Sequence, residues 1–117
     1  MRNKRKGQHY RHTPAFILLL LAQADAYGAS LLNRLENELP NYRTDSAIIY
    51  RTLQDLEKAG AVESYWDHEQ SGPGRKWYRI TEIGKEILKE FRKDIAMRHQ
   101  NLSYFLTTYD AFFQNKP

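Results

Sequence analysis

The side chains best suited to recognition chemistry lie in the segment of residues 45–60. When they are placed on a helix at about 100° per residue, Ala47, Ile48 and Arg51 share one side, opposite a separate apolar face. Alanine and isoleucine can contact thymine methyl groups, and arginine can bond to guanine or to a phosphate. The pattern indicates a helix that reads DNA bases, although an ordinary amphipathic helix with one exposed isoleucine fits it equally well.

Two further groups of cations could contact phosphates. Arg75 and Lys76 follow the glycine-containing segment 70–74, whose backbone can approach a DNA strand closely. Residues 1–12 carry basic side chains and no acid, so we interpret them as a basic arm on phosphates or, alternatively, as a solubilising tail. The residues predicted to contact DNA are Arg5, Lys6, Thr44, Ala47, Ile48, Tyr50, Arg51, Arg75 and Lys76.

Composition and charge narrow the function classes. The chain has 117 residues and a net charge of +4, which favours an anionic partner such as nucleic acid. It has no cysteine, so disulfides, thiol catalysis and thiolate metal sites are excluded. It also lacks a Gly-x-Ser-x-Gly motif and a phosphate-binding loop, so we expect neither an enzyme nor a cofactor. His9 and His12 lack the further ligands that a metal site requires, so we expect no metal.

The longest apolar run covers residues 15–22 and is too short for a bilayer, which requires about 20 residues. Gln23 and Asp25 follow the run directly, which argues against a cleaved secretion signal. We therefore expect a cytoplasmic protein without membrane contact.

Helical signals begin at residue 13. Thr13 as N-cap and Pro14 at the first helical position predict a helix to about residue 23, apolar on nearly all sides. A turn over residues 26–28 and a second helix over about 29–39 follow. A helix that is apolar all round must be covered on several sides, so the first helix is expected to be central or shared with a partner subunit.

The third helix carries the candidate reading face and has defined ends. Thr44 or Asp45 can cap its first amides, and Gly60 can close it in the left-handed conformation. Its inner, apolar face consists of Ile49, Leu53 and Leu56. Two helices joined by a short link, the second with a reading face, form a helix-turn-helix.

The hydrophobic period shortens to about two residues after Gly60, which predicts strands. We expect a strand over residues 62–69, a turn over 70–74 and a returning strand over 75–80. Trp66 and Trp77 are predicted to pair across these strands or, alternatively, to stack on a ligand. A hairpin directly after a helix-turn-helix is a wing.

Thr81 is predicted to cap a last helix that continues close to the C-terminus. Its apolar residues follow a heptad spacing that is interrupted only by Arg98, which favours pairing with a partner helix. The residues of this seam are Leu88, Phe91, Ile95, Leu102, Phe105, Tyr109 and Phe112. The alternative is that the stripe packs on its own domain, although about 30 helical residues span about 45 Å, more than a small domain needs.

Together these elements predict a mainly α-helical chain with a small β-hairpin (an α+β protein), built as a winged helix-turn-helix with a long C-terminal dimerisation helix. We divide it into a basic arm over residues 1–12, a DNA-binding domain over 13–81 and a dimerisation helix over 82–117.

The residues also resemble the PadR family of winged-helix transcriptional regulators over about residues 13–90. The matching motifs are Tyr27-Gly28, Ile49-Tyr50-Arg51-x-Leu53-x-x-Leu56-Glu57-x-x-Gly60 and Gly72-Pro73-Gly74-Arg75-Lys76-x-Tyr78-Arg79-Ile80-Thr81-x-x-Gly84. The resemblance implies a homodimer on a palindromic operator in double-stranded DNA, usually acting as a repressor. It also implies a recognition helix in the major groove and a wing along the backbone.

Some smaller members of this family bind a flat aromatic effector at the dimer interface. Phe16 and the aromatic C-terminal helix could line such a pocket here, but core packing explains them equally well. An effector therefore stays an open expectation.

Two other interpretations stay open. The first is a winged helix that works through protein contacts, or that marks a replication-related or clock-related DNA site, without being a ligand-responsive repressor. Arg51, the basic arm and the basic wing favour nucleic acid over a protein target. The second is RNA or non-specific DNA binding, which would leave Ala47 and Ile48 without a role.

Overall fold

The computed structural model describes residues 12–67 and 74–113. The elements in chain order are α1 (Thr13–Gln23), β1 (Ala26–Tyr27), α2 (Gly28–Glu38), α3 (Ser46–Lys58), β2 (Val62–Asp67), β3 (Arg75–Ile80) and α4 (Glu82–Phe113). Helices α2 and α3 form the predicted helix-turn-helix, and β2 and β3 form the predicted wing. The fold class is confirmed: a mainly helical winged helix-turn-helix with a long C-terminal helix.

The start of α1 differs from the prediction. His12 occupies the N-cap position without a side-chain hydrogen bond, and Thr13 is the first helical residue. The hydroxyl of Thr13 is buried and hydrogen-bonds to that of Tyr42, in the link between α2 and α3. Thr13 therefore tethers that link, and the prediction that it caps α1 is wrong.

A short strand, β1, stands where a turn was predicted over residues 26–28. It pairs antiparallel with β3 through Ala26 opposite Tyr78 and Tyr27 opposite Trp77. The sheet therefore has three strands in the order β1-β3-β2. Helix α2 then begins at Gly28, directly after the strand.

The hairpin register contradicts the predicted tryptophan pair. Trp66 lies opposite Lys76, and Trp77 lies opposite Tyr65. Because residues that face each other across strands share one side of a sheet, the two tryptophans lie on opposite sides. Trp77 instead packs edge-on against Tyr27, with ring centroids 5.1 Å apart.

The core lies among α1, α2, α3 and the base of the wing. Its fully buried side chains include Ile17 and Leu18 of α1, Leu31 of α2, and Ile49 and Leu53 of α3. Removing each such side chain from water contributes about 1.5–3 kcal/mol. The apolar character of α1 is thus largely explained by its central position, the first of the two explanations predicted for it.

Helix α4 extends far beyond this core. Its 32 residues correspond to about 48 Å, and the molecule measures 66 × 29 × 27 Å. Thr81 caps its start as predicted, because the Thr81 hydroxyl accepts a hydrogen bond from the Gly84 amide at 3.1 Å. Within α4 only Gly84 is buried, although Leu88 and Phe91 pack against the core. None of the described helices is long and apolar enough to cross a membrane.

Candidate nucleic-acid interface

Helix α3 is fixed at both ends as its sequence predicts. Asp45 is the N-cap, and its Oδ1 accepts a hydrogen bond from the Ile48 amide at 2.9 Å. Such a cap stabilises a helix by about 1 kcal/mol. Gly60 adopts a φ of +77°, the left-handed conformation that terminates helices. Local interactions therefore define both ends of the helix.

The outer face of α3 is open. Ala47 and Arg51 are exposed, Ile48 is half-buried, and the opposite face is enclosed in the core. Thr44 is half-buried, and its hydroxyl oxygen is covered and has no hydrogen-bond partner among the described residues. An open face that combines small, apolar and cationic side chains suits contact with base edges.

The side chain of Tyr50 projects from α3 toward the start of α2. Its side chain is 47% exposed, and its ring lies directly against Gly28. A Cβ atom on Gly28 would lie 2.5 Å from Cε1 of Tyr50 and 2.8 Å from its hydroxyl oxygen. The missing side chain at Gly28 therefore determines where the Tyr50 hydroxyl lies.

Arg75 and Lys76 begin β3 and are both exposed. The Arg75 guanidinium lies 4.5 Å from the ring centroid of Tyr27, and the Lys76 ammonium lies 5.6 Å from that of Tyr78. Stacking on a ring leaves the charge open on its outer side while limiting the motion of a long side chain. These two cations line the same cleft as Tyr50, the third residue predicted from the sequence to contact phosphates.

These elements enclose a cleft that we call the wing cleft. It has a volume of about 600 Å³ and lies between the start of α2, the outer flank of α3 and the wing. The described residues that line it are Tyr27, Gly28, Ala29, Tyr50, Gln54, Trp66, Arg75, Lys76 and Tyr78. The predicted contacts Arg5 and Lys6, and residues 68–73 between the strands, lie outside the described residues.

Two contacts attach the wing to the rest of the domain. Ser64 of β2 donates a hydrogen bond to Glu57 of α3 at 2.7 Å. On the other side, the Tyr65 hydroxyl donates to Asp25, before β1, at 2.7 Å. The hydrogen bond to the Asp25 carboxylate raises the pKa of Tyr65, so this hydroxyl keeps its proton. Arg79 lies 3.5 Å from the same carboxylate and stacks over the Tyr65 ring. The wing is thus attached to α3 through β2, and to the segment before β1 through both of its strands.

An apolar groove lies on another face, between α1 and α4. It has a volume of about 530 Å³, and its apolar lining includes Phe16, Leu19, Leu88, Phe91 and Ile95. Three predicted seam residues therefore line an open groove while Leu88 and Phe91 also contact their own core. The seam continues along α4 through exposed residues: Leu102, Phe105, Tyr109 and Phe112.

The heptad pattern predicted from the sequence did not include two apolar residues in the C-terminal part of α4. Leu106 and Phe113 are also exposed, and each follows a seam residue by four positions, which places it on the same side of the helix. The ring centroids of Tyr109 and Phe113 are 4.9 Å apart. The apolar surface of α4 is therefore broader than a strict heptad stripe.

The polar position in the seam is paired within its own chain. Arg98 donates to Asp94 at 2.8 Å, and His12 lies 3.7 Å from the same carboxylate. The hydrogen bond from Arg98 lowers the pKa of Asp94. Among the described residues, no group of three or more His, Asp or Glu side chains could hold a metal ion.

A sequence model of the transcriptional regulator PadR-like family matches residues 17–90 of this chain. The chain belongs to the PadR-like family. It is therefore a PadR-family transcriptional regulator, which implies DNA binding, and it is not an enzyme.

Individual relatives agree with this assignment. The chain is 32% identical over 96 residues to the uncharacterized protein X of Lysinibacillus sphaericus. The aligned region covers 81% of this chain and 88% of that relative. A PadR-like transcriptional regulator from Bacillus cereus strain ATCC 14579 has 27% identity and a TM-score of 0.73, over 85% of this chain and 96% of that one. The circadian clock associated protein Pex from Anabaena has 30% identity and a TM-score of 0.58, over 80% and 79% of the respective chains.

The wing cleft also includes residues to which the sequence assigned no DNA contact. Trp66 was expected to pair with Trp77, and Gln54 was left on a flank of α3 without a role. The alternating pattern of β2 does place Trp66 on the side of Val62 and Ser64, which was the one available signal.

Proposed function

We propose that this PadR-family regulator binds a palindromic operator in double-stranded DNA as a homodimer and represses transcription. The observation that supports this proposal best is the position of the open α3 face beside the wing cleft. The base-reading candidates and the phosphate-binding candidates then lie on adjoining surfaces, as a helix in the major groove and a wing on the backbone require.

Each side chain has a role in this proposal. Ala47, Ile48 and Arg51 contact base edges, and Thr44 lies at the entry of the same helix. Tyr50, Arg75 and Lys76 bind phosphates, which fixes the register of α3 in the groove. Arg5 and Lys6 of the N-terminal arm add further phosphate contacts.

The homodimer is supported by the apolar surface of α4. Leu102 is 64% exposed, and it lies in a row of aromatic and aliphatic side chains that continues into the groove between α1 and α4. A contiguous apolar surface of this kind marks an interaction site. A second copy of α4 would cover the row and join two reading heads at a spacing of about 34 Å, one turn of DNA. A flat aromatic effector, if this regulator uses one, would bind where Phe16 and Phe91 line the groove.

Selection of bound duplexes from a random pool tests this function. We expect enrichment of an inverted repeat with half-site centres about one helical turn apart. Arg51→Ala should relax the preference at one position of each half-site and cost about 1–3 kcal/mol there. Lys58→Ala, at the far end of α3, is the matched control and should retain the preference. A pool that remains random after repeated selection would overturn the operator.

A second candidate function follows from the 30% identity with the clock-associated protein Pex. In that case the chain would mark a clock-related or replication-related DNA site, or work through protein contacts, without repressing transcription. Transcription in vitro from a promoter that carries the selected site separates the two. Repression by the purified protein supports the first function, and unchanged transcription with the site occupied supports the second.

A further inference from the structure

Trp66 has an unusual position for a tryptophan. It is 59% exposed and lines the wing cleft, on the same side of β2 as the buried Val62 and the half-buried Ser64. Because Ser64 already contacts Glu57 of α3, the next residue on that side extends beyond the core and alongside the recognition helix. The inner side of the wing thus ends in a large apolar ring that faces the space between wing and helix.

The charge around this ring is positive. Lys76 is the cross-strand neighbour of Trp66, and Arg75 adds a second cation to the lining. None of the described residues that line the cleft is acidic. Gly28 and Ala29 also line it, so the first turn of α2, which has no side-chain cap, opens toward the same space. The occupant that this chemistry favours is an anion with an apolar part beside it.

We propose that the wing cleft seats one sugar-phosphate unit of the DNA backbone and that Trp66 packs its ring on the deoxyribose. The inference rests on the proposed DNA binding and adds to it a contact that carries no charge. A phosphate held by Lys76 and the Tyr50 hydroxyl would place the adjacent sugar beside the indole, because Lys76 lies opposite Trp66 and Tyr50 lines the same cleft. The ring removes apolar sugar surface from water, a contribution that does not depend on released counterions.

Because this contact carries no charge, removing Trp66 should affect the salt dependence of DNA binding differently from removing a cation. Trp66→Ala should weaken binding to mixed-sequence duplex DNA about tenfold, because a large apolar contact is lost. The slope of log affinity against log salt should stay at the wild-type value, since no contact between a cation and a phosphate is lost. Trp66→Phe keeps an apolar ring and should retain most of the affinity. Circular dichroism and thermal unfolding check that each variant folds.

Fluorescence gives a direct readout, because Trp66 and Trp77 are the two tryptophans of the chain. In Trp77→Phe the emission comes from Trp66 and should shift when mixed-sequence duplex DNA is added. In Trp66→Phe it comes from Trp77, which packs on Tyr27 and does not itself line the cleft, and should shift less.

The inference fails if Trp66→Ala binds mixed-sequence DNA like the wild type and the Trp66 emission does not respond. That result leaves the proposed function intact, since the other contacts are unaffected. If the wild-type protein does not bind duplex DNA, the proposed function and this inference both fail. If Trp66→Ala lowers the salt slope by about one, as loss of a phosphate contact would, the assignment to the sugar is wrong.

Discussion

The ring of Tyr50 rests on the backbone of Gly28, at a distance that leaves no room for a side chain between them. A Cβ atom there would lie 2.5 Å from Cε1 of Tyr50. The contact joins the first residue of α2 to the outer flank of α3, the two helices of the reading head. It therefore sets the position of a hydroxyl that we propose binds a phosphate.

Gly28→Ala should displace Tyr50 and lower DNA affinity about tenfold to 100-fold, the effect of losing one hydrogen bond to a charged group. Thermal stability should change little, because Tyr50 is half-exposed and its ring can swing outward. Tyr50→Phe is the matched control, and the double variant should bind no more weakly than either single variant. Additive losses would show that Gly28 acts on DNA binding by another route.

Arg75→Ala should weaken binding to all duplex sequences by a similar factor and reduce the salt slope by about one unit. The reason is that one phosphate contact is lost while the base-reading face of α3 is kept. Lys93→Ala is the control, because Lys93 is an exposed cation of α4 that pairs with Glu90. Fluorescence anisotropy at several salt concentrations measures both quantities. A changed sequence preference with an unchanged slope would refute the phosphate role of Arg75.

Leu102→Glu should convert the protein to monomers in sedimentation, because it places a charge in the centre of the α4 seam. Tyr104→Glu is the matched control: Tyr104 is 73% exposed and lies about 200° further round the helix. It should leave the dimer unchanged. Dimers that persist in Leu102→Glu would assign the exposed apolar row to another partner.

Gly84→Ala should destabilise the fold by about 1–3 kcal/mol, as expected for overpacking at a tight contact. A Cβ on Gly84 would lie 2.1 Å from the Ala61 carbonyl oxygen, which also accepts a hydrogen bond from the Thr81 amide. Glu86→Ala, an exposed change on the same helix, should have little effect. Denaturant unfolding measures the difference, and equal stability of the two variants would contradict the close packing of α4 on the start of the wing.

Local signals accounted for α3 completely. The cap at Asp45, the left-handed Gly60 and the helical spacing of the apolar residues each act within a few positions, and the structure reproduces them. The period-two pattern likewise located the wing. For the N-terminal half of the α4 seam, the structure agrees with the alternative prediction that the stripe packs on its own domain, because Leu88 and Phe91 pack on the core. Both residues also border the open groove between α1 and α4.

Long-range pairing explains what was missed. Strand β1 consists of Ala26 and Tyr27, and its partner β3 lies about 50 residues later, so no local period could reveal it. The error over Trp66 and Trp77 has a related cause, because a shift of one residue in hairpin register moves a side chain to the other side of the sheet. The wing cleft depends on both features, so it could not be assembled from the sequence.

The most direct test of the central claim is the affinity for the selected operator after about five base pairs are inserted between its half-sites. If two copies joined through α4 read the two half-sites together, the insertion turns one half-site about half a turn away. The affinity should then fall about 100-fold, toward that of a single half-site. An affinity that the insertion leaves unchanged would mean that each chain binds on its own, contrary to the dimeric reading head proposed here.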